Sequence, residues 1–134
     1  MSRSVVPCVG AIVTDEQGRL LMIQRGHDPG AGLWSIPGGR IEPGETDEQA
    51  LVRELLEETN LQVKVVRFVG SVQRQGPGGM VIDIRDYAAM VTGGTLRAGD
   101  DAADARWVAA AELARMEVTE GLIEALTDWG VLGN

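Results

Sequence analysis

GRIEPGETDEQALVRELLEETNL, residues 39–61, is the stretch from which the rest of the chain can be read. Within it Ala50, Leu51 and Leu55, with Val52 beside them, recur at helical spacing and supply one apolar face. Thr46 is a good N-cap, and Gln49 three residues later completes a capping-box pattern, so a helix is expected over residues 47–59. Asn60 then stands where a left-handed C-cap is expected, a conformation that asparagine tolerates better than any residue except glycine. Glu54, Glu57 and Glu58 sit three and four residues apart, which at about 100° per residue puts their carboxylates along one stripe. Such a stripe repels itself unless cations neutralise it, and hard divalent ions take oxygen ligands of this kind. Arg53 can relieve part of the repulsion through Glu57 or through Glu45 of the preceding loop. Acidic residues on a helix are more often a solvated face. Here, however, Pro37-Gly38-Gly39 lies just upstream, where bare backbone can approach an ion or a phosphate closely.

Outward from this helix the chain reads as hairpins. Residues 5–13 are β-branched and apolar, residues 15–18 form a turn, and residues 19–24 read as the partner strand. A long loop over residues 26–44, punctuated by glycine and proline, leads to the helix and is expected to lack regular structure. Residues 61–73 and 80–91 read as strands around a turn at residues 76–79, and Gly93-Gly94 turns the chain again. Residues 95–97 are a weak strand candidate. Residues 105–108 are a short strand candidate and residues 109–115 a short helix; a terminal helix over residues 119–129 carries Leu122, Leu126 and Trp129 on one side. This order predicts an α+β chain with a mixed sheet covered by helices, in a single domain spanning residues 1–134.

Gly39, five residues, Glu45, seven residues, Arg53-Glu54-Leu55, then Glu57-Glu58 and Asn60-Leu61 resemble the Nudix box, with Asn60 in place of the family's last glycine. Trp34-Ser35-Ile36-Pro37-Gly38-Gly39 is similar to the family's approach to that box. The resemblance implies an α/β/α sandwich with a central mixed β-sheet, and magnesium-dependent cleavage of a diphosphate in a nucleoside diphosphate derivative, with manganese able to substitute. It implies Glu57 and Glu58 as main metal ligands, Glu54 as a ligand or general base, the Gly38 carbonyl as a further ligand, and Glu45 with Arg53 as a supporting pair. Asp101, or its neighbour Asp100, matches a further acidic residue that many family members place near the metals or the attacking water. ADP-ribose or a related nucleotide sugar is the first expectation for the substrate. A MutT-like pyrophosphohydrolase acting on nucleoside triphosphates is the alternative, and a non-catalytic nucleotide-sugar binding module is a second one.

The remaining features set bounds on this reading. Net charge is −8, from twenty acidic and twelve basic residues, which argues against binding a nucleic-acid duplex without help and requires a cation to mediate any anionic substrate. All the bases except Lys64 are arginine, suited to forked phosphate contacts. Arg25, Arg40 and, more distantly, Arg74 are candidates for a substrate phosphate, although each alone reads as well as a surface arginine, and the Gly39 backbone could approach the same group. Trp34 could stack on a base, but in a chain only 4% aromatic it reads better as an anchor. Cys8 reads as a small core residue and His27 as a solvent-facing loop residue. One cysteine excludes an internal disulfide and fits a cytoplasmic setting, and no run reaches membrane-spanning length. A homodimer stays open.

Overall fold

The strands over residues 5–13 and 20–25 are apolar on both faces, and that pattern dictates the layering. The computed structural model describes residues 4–28, 30–99 and 102–132. Its elements are β1 (Val5–Val13), β2 (Leu20–Arg25), β3 (Trp34–Ser35), β4 (Gly38–Arg40), α1 (Asp47–Thr59), β5 (Leu61–Gln75), β6 (Val81–Gly94), β7 (Ala102–Val108), α2 (Ala110–Leu113) and α3 (Leu122–Asp128). Successive side chains of a strand point to opposite sides. Val9, Ala11 and Val13 of β1 therefore pack with Ala50, Leu51 and Leu55 of α1, while Ile12 packs with Leu113, Leu122 and Leu126. β2 divides in the same way, Leu21 joining the first core and Leu20 and Met22 the second. The strands form the middle layer, with α1 on one side and α2 and α3 on the other, as an α/β/α sandwich requires.

Hydrogen bonding divides that layer into a mixed sheet of order β4-β1-β6-β5, in which β1 and β6 run parallel, and an antiparallel sheet of order β3-β2-β7. The helix at the centre of the sequence reading takes the expected form. Thr46 accepts from the Gln49 amide, the Gln49 side chain returns to the Thr46 amide, and Asn60 caps the far end at φ 63°. The Asn60 side chain also donates to the Thr95 carbonyl at 2.9 Å, tying the cap to the chain beyond β6.

Several expectations are corrected. The loop over residues 26–44 contains β3 and β4, and β4 pairs with β1 through Cys8↔Arg40, Val9↔Gly39 and Gly10↔Gly38. Strand pairing by glycine uses only backbone groups, so side-chain periodicity gives no sign of it. Gly93 and Gly94 belong to β6 instead of ending the sheet before it, and residues 95–97 form no strand. Both C-terminal helices are shorter than expected; Gly121, at φ 82°, delays α3 to Leu122. No helix among the described residues is long and apolar enough to cross a membrane.

Candidate active site

Two cavities meet where β4 turns toward α1. The first, about 380 Å³, is lined by Glu54 and Glu58 of α1, by Gly38, Gly39 and Arg40 of β4, and by Arg25 and His27 at the end of β2. The second, about 390 Å³, runs from Arg25 and residues 38–40 toward β5, β6 and α3, between walls formed by Val72, Ile82, Ile84, Leu122 and Ala125. Arg25, Gly38, Gly39 and Arg40 line both. One end of the combined space is therefore acidic and glycine-bounded, and the other largely apolar.

The acidic end is held by close backbone approach. Gly38 donates its amide to Glu58 Oε1 at 2.7 Å, and Glu58 is only 9% exposed. Gly39 passes so close to Glu54 that a Cβ there would lie 2.5–2.6 Å from the carboxylate atoms. Arg53 fixes the arrangement from the side. Its Nε and Nη2 grip both oxygens of Glu45 at 2.8 and 2.9 Å, its Nη1 donates to Glu54 Oε1 at 2.9 Å, and Nη2 also reaches the Arg40 carbonyl. The Arg53 hydrogen bonds, with the Glu42 backbone contact, hold the Glu45 carboxyl well below its ordinary value, at about 2. The Arg53 guanidinium is in turn held in its charged form, first by Glu45 and then by Glu54.

The three glutamates of the stripe do not all converge. Glu54 and Glu58 face the first cavity, whereas Glu57 is 58% exposed and 3.5 Å from Arg53 Nη1. Among the described residues no group of three histidine, cysteine or carboxylate side chains closes into a metal cage. Two carboxylates beside bare backbone nevertheless form an oxygen-rich set of the kind that suits a hard divalent cation. Asp100 and Asp101 lie outside the described residues. The chain before them does approach the helix: the Gly99 amide donates to the Glu58 carbonyl at 2.8 Å.

Arg25 and Arg40 stand beside both cavities. Trp34 is in the lining of neither: the residue is 8% exposed in the second core, with the Arg106 guanidinium 5.1 Å from its ring centroid, so it anchors β3. Cys8 is corrected from core residue to half-buried cavity wall, its thiol pushed up first by burial. His27 is exposed, as expected, and lies at the rim of the acidic cavity.

Sequence reading missed Asp86, a 3% exposed carboxyl on β6 that borders the apolar cavity. The available signal was an acidic residue in phase with Ile82 and Ile84, where the alternation of the strand calls for an apolar one. It also missed Arg85 and Tyr87, which both hydrogen-bond Asp47 in the first turn of α1 and hold that helix against β6. Arg85 and then Tyr87 lower the Asp47 carboxyl against the effect of its partial burial.

Known proteins resemble this chain in sequence and in fold. The chain is 41% identical over 97 residues to the ADP-ribose pyrophosphatase of Methanocaldococcus jannaschii, a match covering 71% of this chain and 57% of that protein. It is 38% identical over 91 residues to the CTP pyrophosphohydrolase of Escherichia coli, covering 67% of each. The crystal structure of a MutT NUDIX hydrolase from Burkholderia pseudomallei superposes with a TM-score of 0.83 at 26% identity, over 93% of this chain and 98% of that one. A family model described as the NUDIX domain matches residues 5–129, the span that builds both sheets, α1 and the two cavities, and the chain belongs to that family.

Proposed function

We propose that this protein hydrolyses the diphosphate bond of a nucleoside diphosphate derivative with the help of a divalent cation, ADP-ribose or a related nucleotide sugar being the first substrate. One observation carries the reading: Glu54 and Glu58 of α1, the glycine backbone of β4, and Arg25 and Arg40 line a single cavity. This is the donor set that a magnesium–diphosphate complex asks for. Glu54, Glu57, Glu58, the Gly38 carbonyl and Asp101 would hold the ion, with Glu57 turning inward from its exposed position. A bound divalent ion supplies neutralisation of phosphate charge and an acidified water.

The rest of the chemistry belongs to side chains in place. Arg53 fixes Glu54 Oε1 and so orients the carboxylate that would accept the proton of the attacking water. Glu45 keeps Arg53 in that position. Arg25 and Arg40 receive phosphate oxygens, and the Gly39 backbone lets the diphosphate approach the helix without steric obstruction.

The relatives support two substrate classes. One is named for ADP-ribose and another for CTP, and the latter favours a nucleoside triphosphate pyrophosphohydrolase as the second reading. A magnesium-supplemented panel of nucleotide sugars, dinucleoside polyphosphates and nucleoside triphosphates, with products identified, decides between them. AMP with ribose 5-phosphate marks the first, and a nucleoside monophosphate with pyrophosphate the second. Tight binding without turnover of any compound would replace both with a binding module.

A further inference from the structure

The apolar cavity has two acidic residues in its lining, Glu120 just before α3 and Asp86 on β6, and the fold is shaped around the second. Ile82, Ile84 and Asp86 occupy alternate positions of β6 and line the cavity together. The parallel register places Asp86 beside Gly10 of β1, and a Cβ on Gly10 would collide with Asp86 Oδ1. β1 thus carries no side chain at the one place where the carboxyl needs room. Asp86 Oδ1 is buried and, alone among the described side-chain atoms of its kind, has no hydrogen-bond partner. Burial raises this carboxyl from 3.8 to about 7, while Arg74 on the same cavity pulls the other way. An unsatisfied buried acceptor weakens a fold unless water, an ion or a ligand supplies the donor.

The two cavities share Arg25, Gly38, Gly39 and Arg40. A nucleotide with its diphosphate at Glu54 and Glu58 consequently extends its nucleoside between Ile84 and Leu122, toward Asp86. We propose that Asp86 determines base specificity by accepting a hydrogen bond from the exocyclic amino group of the nucleobase, favouring amino-bearing bases over counterparts that lack that group. The proposal rests on the nucleotide reading above. An ionised carboxylate offers acceptors only, so it pairs with an amino N–H and repels a carbonyl oxygen in the same place.

The test is kcat/KM at pH 8.5 with magnesium, where Asp86 is ionised, for three pairs: GTP against ITP, CTP against UTP, and ADP-ribose against its hypoxanthine analogue. In the native protein the amino member should lead by roughly tenfold or more in each pair that is hydrolysed, the range expected for a hydrogen bond to a charged group. Asp86→Asn, which adds an amide donor at constant shape, should bring that ratio down toward one or reverse it, and Asp86→Ala should bring it close to one. Equal turnover of both members by the native protein, or an unchanged ratio in a folded Asn or Ala variant, overturns the proposal and leaves diphosphate hydrolysis standing. Absence of turnover across the panel removes the hydrolase reading and base selection with it.

Discussion

Replacing Asp86 by asparagine should stabilise this protein, by an amount that grows with pH. Its carboxyl is 3% exposed, and burial raises it from 3.8 to about 7. The folded state therefore binds this proton more tightly than the unfolded chain does, the reverse of an ion-paired aspartate. The stability associated with the protonated group is fully present below the unfolded value and is lost as pH rises toward the folded one, with no further change above it. A difference of about three in pKa corresponds to ~4 kcal/mol over the whole window, of which ~2.5 kcal/mol falls between pH 5 and pH 8. Asparagine keeps the shape and has no charge to bury. Urea unfolding of both proteins at the two pH values reads the effect as a double difference. Other groups titrate too, since Asp15 and Asp47 have lowered pKa values and lose stability as pH falls. They do so equally in both proteins, and the subtraction removes them. The variant should gain about 2–3 kcal/mol on the native protein from pH 5 to pH 8. A gain that stays constant within about 0.5 kcal/mol would show that the Asp86 carboxyl is solvated or paired in solution, and would remove the physical basis for treating it as a waiting acceptor.

Three other expectations follow from the acidic cavity and its helix. Glu57→Gln should remain folded and lose most magnesium-dependent turnover; steady-state kinetics near the native rate would end its ligand role. Gly39→Ala puts a methyl group 2.5–2.6 Å from the Glu54 carboxylate, and a displacement on the order of 1 Å there should reduce kcat by roughly a hundredfold while circular dichroism is unchanged. Full activity in that variant would place Glu54 outside the chemistry. Thr46→Ala removes the capping oxygen of α1 and should cost about 1 kcal/mol in denaturant unfolding. Its kcat/KM should stay native, since Thr46 lines neither cavity of the site, and a large kinetic defect would show that α1 has moved.

The parts of this molecule that sequence reveals are those whose partners are close in sequence. Thr46 and Gln49 cap the same helical turn, and Asn60 terminates the helix by its own backbone preference, so α1 could be placed with both ends. The glutamate spacing likewise identifies a stripe without any knowledge of the fold. What the stripe faces is a long-range matter. Only the pairing of Gly38 and Gly39 with Gly10 and Val9 puts the Gly38 amide on Glu58, and glycine carries no side-chain pattern from which that register could be inferred. Asp86 was hidden for a related reason. Its phase with Ile82 and Ile84 marks it as out of place in the strand, but only the parallel register that sets it against Gly10 shows that its Oδ1 is buried without a donor.

The arrangement around Arg53 explains why the stripe can exist before any cation arrives. Its guanidinium contacts Glu45, Glu54 and Glu57 and lies 3.8 Å from Glu42, one positive charge among four negative ones. Planar geometry lets it satisfy Glu45 with two donors and still spare Nη1 for Glu54, which an ammonium on a flexible stem could not do with the same directional control. The local charge stays negative after this pairing, so the proposed cation would meet carboxylates whose positions are already set by helix geometry and by Arg53. Glu57, the most exposed of the three, is the member that would adjust on binding of the proposed ion. A helix that would be strained by its own charge is thereby stable enough to fold, and the unneutralised remainder is what a cation carrying a diphosphate would meet.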